Sequence, residues 1–325
     1  MEKIRKLMLG NEAVARGAYE SGVRVATAYP GTPSTEITEN IAKYEAVYSE
    51  WAPNEKVAME VAVGASLGGA RVIVSMKHVG VNVAAYPLFT FAYTGVNGGL
   101  IVAVADDPGM HSSQNEQDSR YYARSAHIPM LEPSDSQEAK DMVGTALDLS
   151  EQYDTPVFLR LTTRISHSQG IVELGERIEA DLKPYQKDFQ KNVMMPGMAR
   201  KRHIVLEERM NRIAGDADNM AVNRIEMGKD TSIGIITSGI VYQYAKEALP
   251  DVSFLKLGMV HPLPKKMIEA FAQKVDRLVV LEELEPVIEE QIRSWGIAVT
   301  GKERFTRQGE YSASMIRSAL GREDT

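Results

Sequence analysis

Four apolar runs set the limits on how this chain can fold. VRVATAY (23–29), ARVIVSM (70–76), GLIVAVAD (99–106) and TPVFLRLTT (155–163) are short, mostly β-branched and flanked by Gly, Pro or Asp. Runs of this kind are strands buried on both faces. Between them lie stretches of helical period such as SQEAKDMVGTALDLSEQY (136–153). The pattern predicts an α/β domain over 1–171 with a largely parallel sheet. Ligands of such sheets collect at the carboxyl ends of the strands, so the residues that follow each run are the candidates for a site.

A chain of 325 residues suits about two domains. Residues 172–229 are dominated by Glu, Lys, Arg and Asp, and ARKRHIVLEERMNRI reads as a charged helix, so this stretch is expected to be a connector. Its Arg200, Lys201 and Arg202 read either as an anion site or as a solvated face. After Asp230 the alternation resumes in TSIGIITSG, VSFLKLGM and RLVVLEE. A second, smaller α/β domain is therefore expected over 230–325, closing with a short strand near IAVTG and a polar tail. The opening MEKIRKLMLGNEAVARGAYESG reads as one amphipathic helix, not a signal peptide.

Acidic residues outnumber basic ones, 44 to 37, which gives no electrostatic support to binding nucleic acid or an anionic membrane. The absence of cysteine excludes disulfides, thiolate metal sites and iron–sulfur ligation within these residues. No apolar run approaches membrane-spanning length, and a cytoplasmic location is expected.

The first candidate site is the turn Tyr29-Pro30-Gly31-Thr32-Pro33-Ser34-Thr35. Two prolines fix its backbone, a glycine frees it, and hydroxyls and N–H groups gather at a helix start, which suits a carboxylate or phosphate. It also reads as a rigid turn with Ser34 or Thr35 as helix cap. The second is the helix NEKVAMEVAVGASL. Ala58, Val61, Ala62 and Ala65 form its apolar stripe, Glu55 borders that stripe and Glu60 faces away. Asn54 is placed to cap this helix, and Glu55 then reads as a first-turn carboxylate favoured by the dipole, or as a functional acid. Small residues from Gly64 to Ala70 mark a place where a ligand or another backbone comes close.

The third candidate comprises SMKHVGVN (75–82), with Lys77, His78 and Asn82, and the loop DDPGMHSSQNEQDSR (106–120). This loop reads as a polar segment reaching a substrate carboxylate, or as a solvated loop. Arg164, His167 and Ser168 are expected to close the same edge. Phe91, Tyr93, Tyr121 and Tyr122 read as an aromatic pocket or as core. Phosphate loops, a GxSxG elbow and HExxH are missing.

Taken together, YPGTPSTEI, the spacing of Glu55 to Gly64, SMKHVGVN, DDPGMHSSQNEQDSR, ITSGIVYQYAKEALPDVSFLKLGMVHPLP and LEELEPVIEEQI resemble one family in the right order. The chain resembles the N-terminal part of the α subunits of indolepyruvate:ferredoxin oxidoreductases, among the thiamine-diphosphate-dependent 2-oxoacid:ferredoxin oxidoreductases. The resemblance implies a pyrimidine-binding domain followed by a transketolase C-terminal-like domain. It implies that Glu55 hydrogen-bonds N1′ of the aminopyrimidine, that Tyr29, Pro30 and Gly31 border the cofactor, and that Thr32, Lys77 and His78 border the substrate. In pyruvate-type relatives an arginine after the following strand also holds the substrate; here that stretch reads ADDPG.

The implied reaction is oxidative decarboxylation of aryl pyruvates such as indolepyruvate to acyl-CoA, with electrons passed to ferredoxin. The thiamine diphosphate site would be shared with a diphosphate-binding partner domain or subunit that carries Mg2+ and [4Fe-4S] clusters. A second oxidoreductase subunit and a homo- or hetero-oligomer are implied as well. The family's α subunit normally continues beyond the second domain, so a fragment or a separately encoded subunit is expected. Two alternatives stand beside this one: a subunit of another split thiamine-diphosphate decarboxylase or synthase, and a non-catalytic assembly subunit of the same fold.

Overall fold

The computed structural model describes residues 4–321. The first block runs β1 (Arg5–Leu9), α1 (Gly10–Glu20), β2 (Val25–Ala28), α2 (Thr35–Ile41), β3 (Tyr48–Trp51), α3 (Glu55–Leu67), β4 (Val72–Lys77) and α4 (His78–Thr94). It continues with β5 (Leu100–Asp106), α5 (Arg120–Ala126), β6 (Met130–Leu131), α6 (Ser136–Tyr153), β7 (Val157–Thr162), α7 (Thr163–His167) and β8 (Gln169–Glu173). There follow α8 (Phe189–Asn192), α9 (Pro196–Ala217), β9 (Arg224–Glu226), β10 (Asp230–Ser238) and α10 (Gly239–Ala248). The last elements are β11 (Val252–Leu257), β12 (Met259–His261), α11 (Lys265–Ala272), β13 (Leu278–Leu281), α12 (Val287–Ser294) and α13 (Ala313–Ala319).

All four apolar runs form strands of one seven-stranded sheet, ordered β12-β6-β7-β5-β4-β2-β3 and parallel except where β12 meets β6. The two faces of the sheet follow the period-two rule. Val72, Val74 and Met76 of β4, with Leu100, Val102 and Val104 of β5, pack into one core with Ala58, Met59, Ala62, Ala84 and Leu88 of α3 and α4. Ile73, Ile101, Ala103 and Ala105 point the other way, against Ala13, Val14, Ala139, Val143 and Leu147 of α1 and α6. Helix α6 starts where the Asp135 carboxylate accepts from the Glu138 N–H at 2.8 Å, and α3 where the Asn54 side-chain Oδ1 accepts from Val57 N–H at 3.0 Å.

The N-terminal segment departs from the single helix expected of it. Arg5–Leu9 is a strand, paired antiparallel with β8 from Leu9↔Gln169 to Arg5↔Glu173. That partner lies far along the chain, where local periodicity cannot see it. Met1, Glu2 and Lys3 of the expected helix lie outside the described residues.

A second sheet, ordered β13-β10-β11-β9, carries its own core around Ile235, Phe254, Val279 and Tyr242. One strand crosses between the sheets: β9 joins the second sheet beside β11, whereas β12 pairs with β6 of the first. Near IAVTG the expected strand is reduced to one bridge, Val279↔Thr300, and the expected polar tail contains α13. The stretch between β8 and β9 is held to the first block. Lys183 N–H donates to Gly69 carbonyl at 3.2 Å, and Arg202 Nε to Tyr93 carbonyl at 2.7 Å. Arg202 thereby satisfies the carboxyl end of α4, while Arg200 and Lys201 stay exposed. Among the described residues no helix is long and apolar enough to cross a membrane.

Candidate functional site

The turn after β2 is braced from within. Gly31 N–H donates to Thr35 Oγ1 at 2.8 Å and Ser34 Oγ donates to Gly31 carbonyl at 2.8 Å. The Gly31 N–H is therefore bonded within the turn, and neither Ser34 nor Thr35 caps α2 as expected. What the turn presents outward is Tyr29, Pro30 and Thr32, all exposed. Across it lies Lys77, at the end of β4. A Cβ built on Gly31 would stand 3.2 Å from Lys77 Cδ, so the lysine stem packs directly on the glycine.

Glu55 opens α3 at the same edge of the sheet and is 9% exposed. The buried face of α3 is Glu55, Ala58, Met59, Ala62 and Ser66, turned slightly from the expected stripe, because Ser66 Oγ donates to the Gly98 carbonyl at 2.5 Å. Val61 and Ala65 are only half-buried, while Glu60 faces out and pairs with Lys56. The Glu55 carboxylate lies over Gly80 of α4, where a Cβ would fall 2.7 Å from Glu55 Oε1. Gly80 is thus a site residue that sequence reasoning missed. The signal was available: a glycine near the start of a helix is unfavourable unless something needs the space.

The loop after β5 folds back over both. Asp107 accepts from Ser112 N–H at 2.9 Å, Ser113 Oγ at 2.6 Å and Thr163 Oγ1 at 2.6 Å. Burial pushes the Asp107 carboxyl up, and the hydrogen bonds more than reverse it, holding the group below the usual carboxylate range. Lys77 Nζ donates to the Ser112 carbonyl at 3.0 Å, and Ser112 Oγ to the Thr32 carbonyl at 3.1 Å. Burial lowers the Lys77 ammonium from its ordinary value, with the Asp107 charge opposing part of that. His78 is buried beneath the loop, and its Nε2–H donates to the Asn115 carbonyl at 3.1 Å. Gly31, Thr32, Lys77, His78 and the loop form one cluster, and Glu55 adjoins it through Gly80.

The second sheet's block braces this loop from outside, which local sequence patterns did not reveal. Glu116 Oε1 accepts from the backbone N–H of both Gly109 and Gly309. Glu310 pairs with His111 at 3.1 Å and with Arg164 at 2.5 Å. At the loop's end Asp118 and Arg120 enter a buried network with Glu282, while Arg160 spans Asp106 and Glu132. Burial pushes Asp118 up, but the Arg120 and Arg160 charges more than reverse it and hold it at about 2.

Other expected site residues are elsewhere. Arg164 meets the loop only through Glu310, which also pairs with His111, and His167 lies 3.5 Å from Glu36. Phe91 is core, Tyr93 stacks on His203, Tyr121 is exposed and Tyr122 donates to Asn82 at 2.7 Å, so the four aromatics line no common pocket. Gly64 faces open space, whereas Gly69, at φ +95°, is covered by the chain's own Lys183.

Known proteins are similar to this chain in sequence and in fold. The indolepyruvate oxidoreductase subunit IorA of Archaeoglobus fulgidus is 46% identical over 91% of this chain and 49% of its own length. The chain spans about half the length of such curated relatives. A solved 2-oxoglutarate:ferredoxin oxidoreductase from Magnetococcus marinus superposes with TM-score 0.82 at 18% identity, over 98% of this chain and 65% of that one. A split-gene transketolase, an inactive β4 tetramer, superposes with TM-score 0.60 at 14% identity, over 96% and 95%. At those identities the two structures bear on the fold, which is a pyrimidine-binding domain of thiamine-diphosphate type followed by a transketolase C-terminal-like domain. The pattern of pyruvate flavodoxin/ferredoxin oxidoreductase, thiamine-diphosphate-binding, matches residues 16–226, and the chain belongs to that family.

Proposed function

We propose that this chain supplies the aminopyrimidine half of a thiamine diphosphate site in a 2-oxoacid:ferredoxin oxidoreductase acting on aryl pyruvates such as indolepyruvate. In this reading 1–171 is the pyrimidine-binding domain, 172–229 the connector and 230–325 the transketolase C-terminal-like domain. The observation that carries it is the Glu55 carboxylate, held at a strand end over the space left by Gly80. That cradle fits a flat ring nitrogen, and Glu55 would hold a proton at N1′ there. When bound, thiamine diphosphate supplies the electron sink for decarboxylation. Tyr29, Pro30 and Gly31 would border it. Lys77 supplies positive charge for the substrate carboxylate beside Thr32, and His78 supports them from beneath by fixing the loop.

The diphosphate, Mg2+ and [4Fe-4S] clusters belong in this reading to a partner domain or chain, with a second oxidoreductase subunit, coenzyme A and ferredoxin completing a cytoplasmic oligomer. Exposed apolar side chains near the site support such a partner: Tyr29 follows β2, Trp51 ends the adjacent β3, and Val83 and Tyr86 stand on α4. The test mixes the chain with a diphosphate-domain partner, thiamine diphosphate, Mg2+, coenzyme A, an aryl pyruvate and a viologen dye. Dye reduction that requires both chains is expected. A demonstrated complex that reduces no dye with any 2-oxoacid would overturn the reading and favour an assembly subunit.

Gly80→Ala offers a second test. Alanine exceeds glycine in a helix by about 1 kcal/mol, so the thermal midpoint should hold or rise. Activity is expected to fall about tenfold or more, because the new methyl displaces the Glu55 carboxylate. Full activity at an unchanged midpoint would show that Glu55 does not need that cradle.

A further inference from the structure

The loop after β5 carries an anion, Asp107, at the centre of the cluster. Nothing in the function proposed above uses it. Its two oxygens are committed: Oδ2 accepts from Ser112 N–H and Ser113 Oγ, and Oδ1 from Thr163 Oγ1. Asp107 is 1% exposed, so it is not itself placed to meet a substrate. Its effect runs through Ser112. That residue's carbonyl takes the Lys77 ammonium at 3.0 Å, and its hydroxyl holds the Thr32 carbonyl at 3.1 Å. One serine thus ties the Lys77 side chain to the Thr32 backbone, the two residues that the proposed function gives to the substrate carboxylate.

The backbone cannot hold this arrangement unaided. The loop turns at Gly109 and Met110, with φ of +84° and +54°, and a non-glycine residue in the left-handed region stays there only if its surroundings impose it. Met110 N–H donates to the Asp107 carbonyl at 3.0 Å, and Ser112 N–H then returns to the Asp107 side chain. The turn closes on the carboxylate.

We infer that Asp107 is a positioning residue for substrate binding, which fixes Lys77 and Thr32 against each other through Ser112. This rests on the proposed role of Lys77. The charge has a second effect, since it sustains the ammonium of a lysine whose burial works against it. A site with an arginine in this loop would bind a carboxylate directly. Here the loop's anion instead orients a lysine contributed by the neighbouring strand.

The test is steady-state kinetics of the assembled enzyme with an aryl pyruvate, comparing wild type, Asp107→Asn, Lys77→Met and the double variant. Asparagine keeps the shape but loses the charge and turns a donor towards groups that already donate. KM is expected to rise about tenfold with kcat within about twofold, the loss of one charge-assisted anchoring contact. The alkaline limb of kcat/KM should move to lower pH, because Lys77 must be charged to hold a carboxylate and loses the anion that favours its charged form. A purely structural role would not move that limb. In the Lys77→Met background Asp107→Asn should add little, since the two act as one unit.

Ser112→Ala keeps the backbone contacts to Asp107 and Lys77 and loses the hydroxyl's bond to Thr32 and its longer contact to Asp107 Oδ2 at 3.5 Å; with the Asp107 charge retained, it should give a smaller rise in KM and leave the limb in place. Should Asp107→Asn fail to assemble, Ser113→Ala removes one donor to the carboxylate and is expected to raise KM in the same direction. Wild-type KM and limb in Asp107→Asn, beside an impaired Lys77→Met, would overturn the inference and leave the proposed function standing. An equal rise in both backgrounds would also overturn it, showing that Asp107 acts apart from Lys77. An unimpaired Lys77→Met would remove Lys77 from substrate binding and the inference with it.

Discussion

Glu55→Gln in the assembled enzyme is expected to lower kcat by about 10²–10⁴-fold, the range for loss of a positioned proton-transfer group. Glutamine has nearly the same shape, so it keeps the packing over Gly80 and the first turn of α3, which Asn54 caps independently. What changes is the ability to hold and return a proton at a ring nitrogen. Removing a carboxylate from a buried position leaves stability unchanged or slightly higher, so a thermal scan should show no loss. The direct readout is exchange of the thiazolium C2 proton into deuterium oxide, followed by NMR in the loaded complex. Slow exchange in the variant with cofactor still bound is the expected result. Exchange at the wild-type rate would remove Glu55 from the proton path and with it the main support for the proposed function.

The largest effect on stability is expected from Arg120→Met. This guanidinium is 1% exposed and holds both ends of the join between the two sheets' blocks. It donates from Nε and Nη2 to Asp118 at 2.9 and 2.5 Å, from Nη1 to Glu282 at 2.5 Å, and to the carbonyls of Glu283 and Glu285. Breaking such a pair on one side strands buried carboxylates, at a cost of about 3–5 kcal/mol. Urea unfolding should show the midpoint falling by the corresponding amount. Arg164→Met is the control, since its pair with Glu310 is half exposed and such pairs are worth about 1 kcal/mol or less. If both variants unfolded at the wild-type midpoint, the network would not be what joins the blocks. The same substitution loosens Asp118, near the end of the loop over Lys77, so a rise in KM should accompany the loss of stability.

What the sequence determined by itself were the features in which local pattern and environment agree. The four apolar runs became strands because their composition suits only burial on both faces, and their alternation put helices on each side. The Glu55 register on α3 was legible to within a small rotation, because helical geometry leaves few ways to place a first-turn carboxylate beside an apolar stripe. The polar residues after β2, β4 and β5 were legible as one edge for the same topological reason.

Tertiary structure alone decided the rest, and in each case the deciding partner is remote in sequence. The strand Arg5–Leu9 exists because β8 pairs with it, and β12 crosses to the first sheet because β6 offers an edge. Arg202 reads as surface charge until the carboxyl end of α4 is laid beside it. The role of Asp107 depends on Ser112, Lys77 and Thr32 meeting at one point, and that of Arg120 on Glu282 arriving from the other block. Periodicity and propensity act over a few residues, whereas buried polar groups take whatever partner the packed fold brings within hydrogen-bonding distance.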